Sequence, residues 1–130
     1  MTSVDQLIQS KDGPALKLAG DNGDNDARVG FASLVFYRGY QGDPQPGGTK
    51  KAAKELAFAD ALRFVDEACE QDHYPALKFR ADLNFHGAFD FGAKVRLHNK
   101  QFSVAEEDYT ALLAHPDTPP HARGECLIHL

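Results

Sequence analysis

The chain has no tryptophan, one methionine and only two cysteines in 130 residues. Cys69 and Cys126 are too few to form the disulfide framework of a small secreted domain, and both read as buried small side chains. No apolar run approaches the roughly 18 residues that a membrane span needs. The opening MTSVDQLIQS lacks the basic and apolar regions of a signal peptide. Positive charge is also scarce: 14 Lys and Arg against 19 Asp and Glu leave a net charge of -5, which argues against binding nucleic acid through the whole surface. The expectation is a soluble, cytoplasmic protein with no membrane and no nucleic-acid partner. At 42% hydrophobic and 25% charged, residues 1–130 suit one globular domain.

What is present is an internal repeat. Ala19 precedes Ala27 by eight residues, Ala68 precedes Ala76 by eight, and Ala114 precedes Ala122 by eight. Each pair brackets a polar or Pro-containing turn. Beyond the second alanine, Ala32 aligns with Ala81, Leu34 with Leu83 and Phe36 with Phe85, and Ala57 and Ala105 each lie 18 residues after Gly39 and Gly87. The period is 49 and then 46 residues, long enough for a two-helix unit with a long internal loop. This predicts an all-α fold, an α-solenoid of antiparallel helix pairs, with repeat units at about 27–72 and 76–115 and partial units at each end.

One stretch opposes that reading. Leu77, Phe79, Ala81, Leu83 and Phe85 alternate with polar residues as a half-buried strand would, so an α+β fold with a hairpin at about 77–97 is the alternative. On a helix the same residues form two stripes, Leu77 with Ala81 and Phe79 with Leu83. Two apolar stripes suit an inner helix packed on both sides. The match to residues 27–39 favours helix.

The remaining layout follows from caps and breakers. Ser3 caps a short helix near Val4 to Ser10, and Gly13-Pro14 interrupts it before a turn at Ala15 to Ala19. Asp26 is the expected cap of the Ala27–Tyr37 helix, which Gly39 ends. A Pro- and Gly-rich loop at 42–48 leads to Thr49, the cap of the longest helix, Lys50 to Gln71. Helices at 75–85 and 102–114 flank a connector at 87–100. Prolines 119 and 120 open the last helix.

The pattern resembles Sel-one-like repeats, relatives of the tetratricopeptide repeats. The resemblance rests on the Asp26-Ala27 start, Ala32-x-Leu34 with Gly39, the Lys50 to Ala68 helix, the Glu70-Gln-Asp-His73 turn before Ala76, and Ala81-x-Leu83 with Gly87. Lys100 to Tyr109 also resembles the middle of a tetratricopeptide unit. The repeat is longer than the family's, and the loops after Gly39 and Gly87 are irregular. What the resemblance implies is a helical scaffold that binds other proteins, frequently in bacterial signalling or assembly, without catalysis.

Chemical motifs are weak. His115, His121, Cys126 and His129 form the densest cluster, but their spacing matches no standard zinc framework. Cys69 and His73 lie four apart at a helix end with no orienting acid. Residues 21–26 suggest a calcium loop, yet the glycine falls third and Ala32 stands where a bidentate Glu belongs. Gly47-Gly48-Thr49-Lys50 lacks the phosphate-loop order. No catalytic residue, metal ligand or cofactor is expected.

Charge placement gives the candidate site. The first helices of the units carry net positive charge and the second helices net negative charge. First helices line the concave side in repeats of the resembling kind. The expected partner-binding residues are Arg28, Tyr37, Arg38, Lys78, Asn84 and His86, facing a protein or peptide that an acidic character would favour. A small α+β enzyme or metal-dependent protein is the competing reading, and self-association through uncovered end helices is the third.

Overall fold

The computed structural model describes residues 3–86 and 102–129. Among them are seven helices and no strand: α1 Val4–Gln9, α2 Gly13–Asp21, α3 Asn25–Tyr37, α4 Lys50–Glu70, α5 Tyr74–His86, α6 Phe102–Ala114 and α7 Pro120–His129. The chain is all-helical. Residues 77–86 belong to α5, so the described half of the alternative hairpin is helix. Its other half, and the connector at 87–100, lie outside the described residues.

The eight-residue alanine spacing has a geometric cause. At three corners the chain leaves a helix through one left-handed residue, Lys11 (φ 56°), Gly23 (φ 100°) or Asp72 (φ 56°). That residue's N–H donates to the carbonyl three back, Ile8, Gly20 or Cys69, at 3.0–3.1 Å. The next N–H donates to the carbonyl five back: Asp12 to Leu7 at 2.9 Å, Asp24 to Ala19 at 3.1 Å and His73 to Ala68 at 3.2 Å. This paired 6→1 and 5→2 bonding satisfies carbonyls that a helix end otherwise leaves open. Asp12 and Asp24 then act at once as N-caps, each carboxylate accepting from Ala15 or Ala27 three residues on. At the third corner the His73 carbonyl accepts from Ala76. One helix ends and the next begins within two residues, which fixes the spacing of Leu7/Ala15, Ala19/Ala27 and Ala68/Ala76. The cap of α3 is therefore Asp24, in place of the expected Asp26.

The corner between α6 and α7 departs from this pattern. Pro119 stands where Asp24 and His73 donate, and proline has no N–H. Arg123 serves instead: its guanidinium donates to the carbonyls of Leu113, His115 (2.8 Å) and Thr118 (3.1 Å). Arg28, one residue after Ala27 as Arg123 is after Ala122, donates to the Gly20 carbonyl at 3.0 Å. Both arginines thus reach a carbonyl eight residues back, on the end of the preceding helix.

Two apolar clusters form the interior. The larger joins α2, α3 and α4 through Leu16, Phe31, Leu34, Phe36 and Phe64, and Leu83 of α5 joins it. The smaller joins α5 and α6 through Leu77, Ala81, Ala105, Tyr109 and Leu112. The two stripes of α5 face opposite ways: Phe79 and Leu83 towards α3 and α4, Leu77 and Ala81 towards α6. That is why its sequence alternates like a strand. Ala32, Ala57, Ala81 and Ala105 are each at most 5% exposed, at positions where helices approach closely. Each helix packs on its neighbours in sequence, and α3 also touches both α1 and α5.

Candidate functional site

Contact between α1, α3 and α5 leaves a groove of about 560 Å³ on their shared face. Its α3 wall is Asp26, Val29, Gly30 and Ser33, spaced to lie on one side of a helix. Gly30 lets α1 sit close: a Cβ there would stand 3.0 Å from Ile8 Cδ1. Val4 and Ile8 of α1 and Pro75 and Phe79 of α5 complete an apolar floor, while Ser3 and Asp5 lie at the edge. Asp26 is 71% exposed on the rim, with His73 Nε2 at 3.2 Å from its Oδ1. Among the described residues no lysine or arginine lines this groove.

The expected partner-binding residues divide between two environments. Tyr37 continues the groove's α3 wall by one helical turn and packs edge-on against Phe79, with ring centroids 5.4 Å apart. Burial, and then the nearby Asp82 carboxylate, push its phenol pKa above the ordinary value. Lys78 donates to Asp82 Oδ2 at 2.6 Å, and Tyr109 of α6 donates to Asp82 Oδ1 at 2.6 Å. Arg38 is exposed at the end of α3. These three residues gather at one end of the α3 and α5 layer.

Arg28 and Asn84 are elsewhere. Arg28 points towards α2 and α4, where it bonds Gly20 O and Asn25 Oδ1 and pairs with Glu67 at 3.0 Å. Asn84 is 4% exposed and donates to the Arg80 carbonyl. Both have structural work that sequence spacing could not reveal. The His86 side chain falls outside the described residues.

The positive strip read from helix charges does not form as a free surface. Arg80 turns into the α5–α6 interface, where Asp108 accepts two bonds, at 2.8 and 2.9 Å, and Asp66 lies 3.3 Å away. Bonding to Asp108 holds the Arg80 guanidinium pKa above its ordinary value. Arg28, Lys78 and Arg80 are each matched by a carboxylate. The groove itself carries Asp5 and Asp26, so its charge is opposite to that expected. Sequence reasoning missed Val29, Ser33 and Phe79; the one signal for them was their helical spacing beside the positions it did choose.

Several residues of the weighed chemical motifs have structural partners, and the side chains of Cys126 and His129 fall outside the described residues. Both His115 ring nitrogens are engaged, one with the Asp72 carbonyl at 2.9 Å and one with the Asp117 N–H at 3.1 Å. Among the described residues no three His, Cys, Asp or Glu side chains gather to hold a metal. Burial pushes the Cys69 thiol pKa up to about 12, the opposite of a reactive thiolate. Asp24 caps α3, Asp21 pairs with Lys17 and Arg63, and Thr49 caps α4 by accepting from Ala52 N–H at 3.0 Å. No helix among the described residues is long and apolar enough to cross a membrane. Comparison with known protein families, curated proteins and solved structures gave no match.

Proposed function

We propose that the chain is a non-enzymatic scaffold, an α-solenoid of paired helices whose inner face binds a segment of another protein. The observation that carries this reading is the groove shared by the alternate helices α1, α3 and α5. These helices touch in series, whereas α2 and α4 meet near Gly20, Asp21, Arg63 and Phe64 and leave a cleft between residues 13–17 and 52–60. Alternate helices that close up on one side and spread on the other curve the stack. The groove is then on the inner side, where an extended segment meets several helices together.

The groove chemistry specifies the segment. An apolar floor of Val29, Ile8 and Phe79 takes aliphatic or aromatic side chains, and Asp5 and Asp26 on the rim take a lysine or arginine. The preferred partner is thus an apolar segment with a basic residue, presented in the cytoplasm. An acidic peptide, which the helix charges alone would favour, meets like charge here.

The test is selection of a random displayed peptide library on the intact chain, followed by titration of a selected peptide against two variants. Ser33→Arg places bulk and positive charge in the groove and should weaken binding at least about tenfold, the effect of some 1.4 kcal/mol. Leu18→Arg, on the exposed face of α2, should change binding less than about twofold. Selected peptides should be enriched in Lys or Arg beside an apolar residue. Equal losses for both variants, or enrichment of acidic peptides, would overturn the reading.

A further inference from the structure

The second cavity lies on the other layer, away from the groove. It is a cleft of about 340 Å³ between α2 and α4, within the range of small-molecule sites. Phe31 of α3 forms its floor, and Ala53, Leu56 and Ala57 form the α4 wall. Beyond the lining, Asp21 of α2 pairs with Arg63 of α4 at 3.2 Å. Tyr40, Gly42, Asp43, Gln45, Gly48 and Thr49, from the connection between α3 and α4, complete the lining.

That connecting segment is held in place. Gly39 (φ 74°) turns the chain so that the Tyr40 N–H reaches the Leu34 carbonyl at 2.9 Å. The Tyr40 ring then lies on Gly13, where any Cβ would stand 2.1 Å from it. It meets Phe31 edge-on at 5.9 Å, and its hydroxyl donates to Asp43 Oδ2 at 2.8 Å. Gly42 (φ 80°) sits against the Ala53 carbonyl, where a Cβ would stand at 2.5 Å. The cleft is therefore lined by two aromatic rings and by a segment whose contacts tolerate no side chain at Gly13 or Gly42.

Among the described residues its charged groups are Asp43, Asp60 and one cation, Lys17, which is tied to Asp21 at 3.1 Å. Asp60 is only 8% exposed, and among the described residues its sole bonded partner is Arg63, on Oδ1. Asp60 thus sets a carboxylate on the cleft wall, held in place by Arg63. Aromatic faces beside carboxylates are the chemistry that recognises ammonium groups. We propose that this cleft binds a small organic cation, an alkyl- or arylammonium, with its apolar body on Phe31, Ala53 and Leu56 and its charge towards Asp60 and Asp43.

Three matched probes test this on the full chain by protein-observed NMR: 2-phenylethylammonium, neutral 2-phenylethanol and anionic 3-phenylpropanoate. The ammonium should saturate and shift the amides of residues 13–17, 40–43 and 52–60. The alcohol should bind at least about fivefold more weakly and the carboxylate weaker still, the scale of a charge-assisted bond. Asp43→Asn keeps an acceptor for Tyr40 and removes the charge, so the ammonium-to-alcohol preference should narrow. Ala52→Trp, at an exposed cleft position, should block all three probes while leaving the circular dichroism melt in place. Ser33→Arg in the groove should not alter ammonium binding, which separates this site from peptide binding. Equal affinity for ammonium and alcohol, shifts confined to α1, α3 and α5, or no binding would overturn the proposal. Should Ala52→Trp fail to fold, the probe series and Asp43→Asn decide alone.

Discussion

The α3–α4 and α5–α6 halves of the molecule follow the same helical plan with different interiors. Between α3 and α4 the contacts are aromatic: Phe31 meets Phe64 edge-on at 5.5 Å and Phe36 meets Phe58 at 5.3 Å. Between α5 and α6 they are mixed, with Leu77, Ala81, Tyr109 and Leu112 surrounded by the Arg80–Asp108 pair and the Asp82–Tyr109 bond. Helix corners and close helix contacts thus fix where turn formers and small residues fall, and leave the chemistry between helices free. A stack can then place a firm hydrophobic core beside a polar, orientation-fixing one. Buried carboxylate bonds add less net stability than apolar packing and are more costly to break from one side.

The largest expected effect is in the aromatic half. Phe64→Ala removes a ring with no exposed surface that touches Phe31 and lies beside Gly20. The loss should be about 3–5 kcal/mol in a urea titration, with little dependence on salt. In the polar half, Asp108→Asn leaves the Arg80 guanidinium without its twofold acceptor. Arg80 is 28% exposed and keeps Asp66, so the loss should be smaller, about 1–3 kcal/mol, and reduced at high salt. Losses of equal size and equal salt response would erase the distinction between the halves.

A pH measurement sharpens the same contrast, because Cys69 adjoins both clusters. Its thiol pKa is raised by burial from 9.0 to about 12, so the folded state holds the proton more tightly than the unfolded state. The stability this contributes is complete below the unfolded pKa and falls as pH rises from about 9 towards 12. Cys69→Ala should flatten that part of the stability profile relative to the parent. A profile unchanged by the substitution would contradict the burial assigned to this sulfur.

The smallest effect concerns the corners. Lys11 holds a left-handed conformation that costs most side chains about 1–2 kcal/mol, whereas glycine adopts it freely, as Gly23 does. Lys11→Gly should raise stability by about 0.5–1 kcal/mol after glycine's own entropy cost, measured as a shift in the urea midpoint. Asp72→Gly should gain less, because the Asp72 carboxylate also lies 3.3 Å from His115 Nε2. A loss at Lys11 would mean that its side chain, and not the corner geometry, matters there.

These comparisons also show what could be read in the sequence. Helix limits were legible because caps, glycines and prolines act within a few residues: Thr49, Gly39 and Pro120 all stand at the ends assigned to them. The eight-residue spacing was legible for the same reason, since one corner geometry generates it at Ala19/Ala27 and at Ala68/Ala76. Asp26 was expected to cap α3, but Asp24, two residues earlier with the same side chain, takes that place, and only backbone direction distinguishes them. The site was less legible because its charges are settled at long range. Arg80 meets Asp108 across 28 positions, and Arg28 meets Glu67 across the α3–α4 contact, so a sum over each helix misstates what faces outward. Tyr37 packs on Phe79 of the groove and Lys78 is held by Asp82, while Asn84 is buried and Arg28 turns towards α2 and α4, because neighbouring helix positions point about a hundred degrees apart.

The most direct measurement of the central claim is a chemical-shift map of the full chain titrated with a selected peptide carrying an apolar and a basic residue. The account predicts saturable changes at Ile8, Val29, Ser33 and Phe79, extending to Tyr37, and a weakening of binding as salt screens Asp5 and Asp26. Changes confined to α2, α4 or α6, with α3 and α5 silent, would contradict it.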